Sequence, residues 1–424
     1  MIRIDDMKLI ILCIILIIGL NAIGFGQTAD DARYLSMAGS NVAIAEGNEY
    51  YGGNPATLAV RRDFNFEIQL LSAHLMVRNN SFSLNEYDQY FTTGDSLSRQ
   101  DIDNLFSHIP EKGLYGYTDI GARALSFYSW PFSITVAGIG NGFVNLPKDP
   151  IIFPFYGNTE QKVFSMDDLD GEAWAGGSVN FAVAYPLTQW MPNVLDFFSV
   201  GISPKYIVGF KYAEILESQG NLITTDDYIL ADAHVKGLVS SGGNGFGLDL
   251  GILGIYDENW TFSLHASNLF GFVNWGTNDS LYVYDFVSDS VRLNDYESFV
   301  KLDKDTSYAT GRFRRSLPQS LTFATAYQYL PNLVFTTAWR QGLNKALGNS
   351  ITPLISIGTE YSPIPYLPLR TGLAVGGNYG FTWGMGFGID LKYWQLSVGY
   401  MNHNFRWFRS ARSMDFALTT QFRF

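Results

Sequence analysis

Large apolar residues alternate with small or polar residues along most of the chain after residue 63. The alternation is most regular in the last hundred or so residues, 321–424. Every second residue of segment 381–389 is large and apolar: Phe381, Trp383, Met385, Phe387 and Ile389. The final segment, Met414–Phe424, repeats the pattern. A period of two is typical of a β-strand with one apolar face, so a core or a lipid bilayer must cover that face.

The same parity marks about fourteen strands between residues 63 and 424, an even number as in bacterial outer-membrane barrels. Long polar stretches, residues 79–118 and 273–315 among them, are predicted loops, as is the short stretch 241–243. Segments 129–131 and 257–259 are predicted tight turns. Long loops at one end and short turns at the other are typical of these barrels. We therefore predict an all-β fold, a single transmembrane antiparallel β-barrel.

Composition favours the same fold and excludes one class of partner. Only 16% of the 424 residues are charged, whereas 47% are hydrophobic and 42 are glycine. The formal net charge of −12 and the lack of a basic stripe argue against nucleic acid. After residue 26, no stretch approaches the roughly 18 consecutive apolar residues of a membrane helix. Strands must therefore make any membrane crossing.

The first residues predict an export signal. Lys8 precedes the apolar run 9–20, and Gly24 and Gly26 provide small residues for cleavage after Gly26. The single cysteine, Cys13, lies in this run, so the mature chain is expected to contain none. The predicted organisation is a signal peptide at 1–26, a separate N-terminal segment at 27–62 and a barrel at 63–424.

Several short motifs carry a family resemblance. Segment 27–62 contains Leu35-Ser36-Met37-Ala38-Gly39 and, just before the first strand, Asn54-Pro55-Ala56. Later segments contain Asp249-Leu250-Gly251, Asn268-Leu269-Phe270-Gly271, and Glu360-Tyr361 followed by Leu369-Arg370-Thr371-Gly372. Together these resemble the FadL-like outer-membrane proteins and the related PorV-like group. The resemblance implies that 27–62, with Asn54, Pro55 and Ala56, forms a hatch inside the periplasmic end of the barrel. From the residues alone, Asn54-Pro55 is equally an ordinary turn.

The resemblance also implies a location and two alternative functions. The location is the outer membrane of a Gram-negative-type bacterium, in contact with the lipid bilayer and lipopolysaccharide. The first function is passage of hydrophobic or small solutes, which would bring a hydrophobic ligand as partner. The alternative is a PorV-like accessory role, without transport, beside a secretion-system or surface-attachment partner.

Inward parity predicts a set of charged side chains in the lumen: Glu67, Lys205, Lys211, Asp249, His265, Arg340, Glu360 and Asp390. These residues would either line a solute path or pair with one another across a narrow interior. An apolar ligand would instead need an apolar pocket. Ile207, Leu253 and Ile255 are candidates for it, or else they pack against the hatch.

No pattern in the sequence indicates catalysis or a metal site. The five histidines have no partner at a motif spacing, and the chain lacks Gly-x-Ser-x-Gly, His-Glu-x-x-His and a phosphate loop. The acidic cluster at 167–172 superficially resembles a calcium loop but lacks the twelve-residue ligand spacing, which favours a solvated loop. We therefore expect no enzyme activity, no cofactor and no metal.

Overall fold

The computed structural model describes residues 31–92, 97–156, 163–191, 193–224, 228–292, 303–378, 380–403 and 408–424. The predicted signal peptide lies outside the described residues. The described residues form seventeen strands, all in one sheet. In chain order they are β1 (Phe66–Asn79), β2 (Leu114–Ser129), β3 (Phe132–Leu146), β4 (Val163–Ser165), β5 (Asp170–Pro186), β6 (Phe197–Thr224), β7 (Tyr228–Tyr256), β8 (Trp260–Arg292), β9 (Asp303–Tyr308), β10 (Phe313–Ser316), β11 (Ser320–Leu330), β12 (Leu333–Gly342), β13 (Leu354–Tyr361), β14 (Leu369–Gly376), β15 (Gly380–Asp390), β16 (Trp394–His403) and β17 (Ser413–Arg423).

Fourteen of these strands form a closed antiparallel barrel, as the sequence predicts. Each wall strand pairs with the next one along the chain, with β3 joined to β5 and β8 joined to β11. The last strand, β17, returns to β1, where Ile68 faces Phe422. The short strands β4, β9 and β10 extend the sheet beside β6 and β8. The wall therefore has no open edge between β1 and β17.

The outer face of the wall is apolar. On β3, Phe132, Ile134 and Val136 are 43–48% exposed, whereas Ser133 and Thr135 between them are buried. Rows of exposed apolar side chains on strand after strand are unfavourable in water and typical of a lipid-covered barrel surface. Among the described residues, no helix is both long and apolar enough to cross a membrane.

The connections between strands define two ends of the barrel. The end with short connections, among them 130–131 and 331–332, also holds the start of β1 and the end of β17, and is called here the turn end. The opposite end, the loop end, holds the long connections after β1, β3 and β8. Helical segments lie in both groups of connections: α2 (Leu84–Tyr87), a π-helix (Asp88–Thr92), α3 (Arg99–Ser107), α4 (Lys148–Tyr156) and 3₁₀ helices at Thr188–Trp190, Ala346–Gly348 and Phe408–Ser410.

Strands β6, β7 and β8 are much longer than the sequence predicts. They contain 28, 29 and 33 residues, whereas a membrane strand needs roughly ten. At about 3.3 Å per residue, β6 is roughly 90 Å long. The three strands therefore continue far beyond the lipid at the loop end, as a sheet extension. The predicted loop at 241–243 lies inside β7 and residues 273–292 belong to β8, so both loop predictions are wrong.

Residues 31–62 lie inside the barrel and are called here the hatch segment. The segment contains helix α1 (Ala32–Ser36) and three 3₁₀ helices, at Asn41–Ala43, Gly47–Tyr50 and Pro55–Ala59. Helix α1 contacts β14 to β17, and the Pro55–Ala59 helix contacts β5 to β7. Met37 and Leu58 are at most 1% exposed. The segment therefore bridges opposite sides of the wall.

Glycines of the wall allow the hatch backbone to approach it directly. A Cβ atom added at Gly372 would lie 2.3 Å from the carbonyl carbon of Met37, and one at Gly384 would lie 2.4 Å from the carbonyl oxygen of Leu35. Non-bonded atoms do not approach this closely, so any larger residue would displace α1. The small inward residues of β14 and β15 thus form a flat seat for the hatch segment.

We expect the substitution Gly372→Ala to loosen α1, because the new methyl group would collide with the Met37 carbonyl. Overpacking typically costs about 1–3 kcal/mol, so α1 amides should exchange hydrogen roughly fivefold to a hundredfold faster. Hydrogen–deuterium exchange measures this. The matched control is Gly116→Ala, whose Cβ would meet only Val144 Cγ1, at 3.8 Å. Equal hydrogen-exchange rates of the α1 amides in the two variants would show that Gly372 does not provide a seat for α1.

Candidate functional site

The barrel interior has two parts of functional interest. The first is the contact layer between the hatch segment and the wall, which lies towards the turn end. The second is a cavity between the hatch segment and the loop end. Together they hold every predicted lumen residue except Lys211, whose position is described below.

The tripeptide Asn54-Pro55-Ala56 joins the hatch segment to the wall. Asn54 caps the Pro55–Ala59 helix, since its Oδ1 accepts a hydrogen bond from the Ala56 amide at 2.8 Å. The Asn54 Nδ2 donates to the Ile252 carbonyl at 2.8 Å and to Ser263 Oγ at 2.7 Å. A Cβ atom at Gly251 would lie 1.7 Å from Asn54 Oδ1. The glycine of the Asp249-Leu250-Gly251 motif therefore makes room for the cap.

One group of buried charges attaches α1 to β13 and β14. Arg33 donates from Nε and Nη2 to the two carboxylate oxygens of Glu360, at 2.8 and 2.9 Å. Arg370 donates from Nε to Glu360 Oε2 at 2.6 Å. A further contact joins Arg33 Nη1 to Glu49 within the hatch segment, at 2.9 Å. Glu360 thus receives two arginines, one from the hatch segment and one from the wall.

A second group of buried charges surrounds Arg423 near the end of β17. Arg423 donates to Glu67 Oε2 at 2.5 Å and contacts Glu46 at 3.3 Å, and Arg62 contacts Glu46 at 3.2 Å. Glu46 lies in the hatch segment, outside the membrane-spanning strands. Its burial acts to raise its pKa, but Arg62 and Arg423 outweigh the burial and lower the pKa to about 2. Asp390 lies within electrostatic range of Arg370 and Arg423.

The cavity has a volume of about 120 Å³ and a lining that mixes polar and apolar groups. Tyr34, Gly39 and Val42 of the hatch segment form one side, and a group of wall residues forms another: Lys205, His265, Asn268, Thr322 and Arg340. Lys205 Nζ contacts Asp249 Oδ2 at 2.7 Å and donates to Asn268 Oδ1 at 2.9 Å. Four of the predicted lumen residues, Lys205, Asp249, His265 and Arg340, are therefore at or beside the cavity.

Lys211 does not lie in the lumen, and that prediction is corrected here. Gly209 pairs with Gly176 and Lys211 pairs with Ala175, so Phe210 is an extra residue in β6 and the parity reverses after it. Lys211 is exposed. Tyr212 points inward instead and is 1% exposed. Its hydroxyl lies within hydrogen-bond distance of two carboxylates, those of Glu172 at 2.8 Å and Glu214 at 3.0 Å, and can donate to either.

The candidate apolar pocket is filled by the hatch segment. Ile207 and Leu253 are at most 1% exposed, and they belong to one hydrophobic cluster with Tyr50, Tyr51 and Leu58 of the hatch segment. Of the two alternatives for these residues, packing against the hatch is the one that the structure shows. Among the described residues, no group of three or more His, Cys, Asp or Glu side chains could hold a metal ion.

Sequence reasoning missed the hatch residues that carry charge. Arg33 and Glu49 lie in short helices and Glu46 directly precedes one. This segment has no regular apolar period, so parity gives no signal for them. A second omission is Arg123, which is fully buried and donates to the Asn48 carbonyl at 2.6 Å and to Asp31 at 3.2 Å. Such pairs could have been found by comparing the charged residues of segment 27–62 with the oppositely charged residues that parity places on the inner face of the strands.

We expect Glu360→Gln to weaken the attachment of α1, because Arg33 and Arg370 would both lose a carboxylate partner. Breaking a buried ion pair costs roughly 3 kcal/mol, which corresponds to about a hundredfold faster exchange of α1 amides. The control is Glu111→Gln at the exposed Lys148–Glu111 pair, where Glu111 is 93% exposed and little change is expected. The same α1 exchange rate in both variants would show that Glu360 does not hold the hatch segment.

Comparison with solved structures identifies barrels with the same fold. The toluene transporter TbuX of Ralstonia pickettii is 12% identical, with a TM-score of 0.53 over 96% of this chain and 100% of that one. The toluene transporter TodX of Pseudomonas putida is 11% identical, with a TM-score of 0.53 over 94% and 98%. A FadL homologue of Pseudomonas aeruginosa is 11% identical, with a TM-score of 0.56 over 95% and 100%. The resemblance to FadL-like barrels is confirmed at the level of the fold.

Sequence comparison gives the family. No curated protein matches the chain. A protein-family model described as a family of unknown function, DUF5723, matches residues 55–400, from Pro55 of the hatch segment to Tyr400 in β16. The match includes the glycine seats and most of the charged positions described above. The chain therefore belongs to the DUF5723 family, whose function is unknown.

Proposed function

We propose that the protein passes small solutes across the outer membrane and that the hatch segment is the gate. The observation that carries the proposal is the cavity between the hatch segment and the loop end, whose lining includes charged, amide and hydroxyl side chains. The loop end faces the lipopolysaccharide leaflet, because long loops are extracellular in outer-membrane barrels. The related folds of hydrocarbon channels support a channel as the general class. In this proposal the protein is not an enzyme, and turnover of a lipid or peptide would contradict it.

The lining of the cavity favours small polar solutes over hydrophobic ones. A hydrophobic ligand needs a mostly apolar pocket, and the apolar residues that could form one pack against Tyr50, Tyr51 and Leu58. The open space is bordered by apolar surface together with hydroxyl, amide and charged side chains, including Ser267, Asn268 and Thr322. A solute without polar groups would offer no hydrogen bond to His265 Nε2, which is buried and makes none within the described residues, and this costs free energy.

Passage requires movement of the hatch segment. Helix α1 rests on the wall at Gly372 and Gly384, and Asn54 is held against β7 and β8 on another part of the wall. The hatch therefore lies between the cavity and the turn end. A solute in the cavity reaches the turn end only when part of the hatch segment leaves its seat.

A second candidate function is the PorV-like accessory role. The sheet extension of β6, β7 and β8 supports it, because strands this long project beyond the lipid and offer surface to a partner of a secretion or surface-attachment system. A stable partner recovered from the outer membrane, together with no solute passage by the purified protein, would favour this role over the channel.

A reversible disulfide tests the gate. Ser40 Oγ of the hatch segment lies 2.6 Å from Thr336 Oγ1 of β12, and both side chains are buried. Paired cysteines at these two positions should cross-link under oxidation, since the side chains already meet and disulfides need closely facing Cβ atoms. The only natural cysteine is Cys13, in the predicted signal peptide.

We expect liposomes that contain the wild-type protein to swell in isosmotic sodium lactate or arabinose. Liposomes with oxidised Ser40→Cys/Thr336→Cys protein should swell at least tenfold more slowly, and reductant should restore the wild-type swelling rate. The single variant Ser40→Cys, which cannot cross-link to the wall, is the control and should be insensitive to oxidation. Undiminished swelling with a fully cross-linked hatch would exclude the gate, and no swelling with wild-type protein would exclude passage.

A further inference from the structure

We propose that Arg340 and His265 form a binding site for the carboxylate group of a small, polar organic anion in the cavity. This inference rests on the proposed passage of small solutes, and it names the class of solute.

The sheet register brings the two side chains to one level of the wall. His265 of β8 pairs with Thr322 of β11, and Thr322 pairs with Arg340 of β12. All three residues border the cavity. Neighbouring strands lie about 4.8 Å apart, so the backbones of His265 and Arg340 are separated by roughly 10 Å. That separation suits a small anion held between an arginine and an imidazole, above Thr322.

The polar atoms of His265 and Arg340 lack partners within the described part of the protein. His265 is 3% exposed, and its Nε2 makes no hydrogen bond there. No carboxylate of the described residues lies within 4 Å of the Arg340 guanidinium, which distinguishes it from the other charges of the interior. Lys205 is paired with Asp249, and Asp119 on the far side of the cavity is paired with His74, at 2.8 Å. Buried polar groups are normally satisfied, so His265 Nε2, beside the half-buried Arg340, indicates a missing partner.

The charge balance favours an anion. Lys205 and Asp249 neutralise each other, and the Asp119 carboxylate lies on the far side of the cavity, so Arg340 is, within the described residues, the unpaired positive charge beside His265. A planar guanidinium fits a carboxylate through two parallel hydrogen bonds. The imidazole of His265 supplies a further donor, and Thr322 supplies a hydroxyl group.

The size and lining of the cavity limit the rest of the molecule. A volume of about 120 Å³ holds several water molecules, since a single water needs roughly 10–15 Å³ of such space. Ser267, Asn268 and Ser320 contribute polar groups to the remaining lining. A hydroxy acid of a few carbon atoms offers a carboxylate to Arg340 and a hydroxyl group to this polar part of the lining, whereas an alkane offers neither.

The test uses purified full-length mature protein in detergent and isothermal titration with sodium lactate, with lactamide as the uncharged analogue. We expect wild-type protein to bind lactate and to bind lactamide at least tenfold more weakly. Arg340→Gln should bind lactate at least tenfold more weakly than wild-type protein. Arg340→Lys keeps the positive charge but cannot form two parallel hydrogen bonds, so its affinity should lie between those of wild-type protein and Arg340→Gln. His265→Phe should also weaken lactate binding.

The control is Arg409→Gln, an arginine that is 72% exposed at the loop end and should leave lactate affinity unchanged. Resistance to denaturation by sodium dodecyl sulfate before heating verifies that each variant is folded. Equal binding of lactate and lactamide, unchanged affinity in folded Arg340→Gln, or no lactate binding by wild-type protein would overturn the site. Lactate binding without liposome swelling would refute passage and leave the binding site supported. Swelling in arabinose without lactate binding would refute the binding site and leave passage supported.

Discussion

The backbone of the hatch segment lies in direct contact with the inner face of the barrel, at places where the wall carries no side chain. Gly372 and Gly384 receive α1, and Gly251 receives the Asn54 cap. The position of the hatch segment follows from these contacts, because a methyl group at any of the three would displace it. The filled turn end and the cavity on the loop side in turn follow from that position.

The buried charges act within this geometric frame. Removing an arginine or glutamate from water is unfavourable, and the attraction between partners offsets this cost only when the geometry is complete. Glu360 meets that condition with Arg33 and Arg370, and Arg423 meets it with Glu67 and Glu46. Such an arrangement contributes little to net stability. Its main effect is to fix the position of the hatch segment against the wall, because a displaced hatch segment would leave several ions unpaired at once. Arg340 lies outside this arrangement, at the cavity.

The sequence predicts the barrel well because lipid outside and packed polar residues inside impose a period of two on every wall strand. The fourteen wall strands and the two kinds of connection follow from that period. The length of β6 to β8 does not, because the glycine- and serine-rich stretch near 240–245 has the composition of a loop although it continues the ladder. Parity also fails at a bulge, where the extra residue Phe210 reverses Lys211 and Tyr212. The hatch segment has no regular apolar period, so the sequence pattern does not predict its contacts with the wall.

The glycine seats couple substitutions in two distant parts of the chain. The hatch segment occupies residues 31–62, whereas the glycines beneath α1 lie in β14 and β15, more than three hundred positions later. A bulkier hatch backbone or a larger wall residue is tolerated only with a matching change in the other. Chimeric barrels that exchange N-terminal segments between relatives would therefore need to exchange the corresponding wall glycines as well.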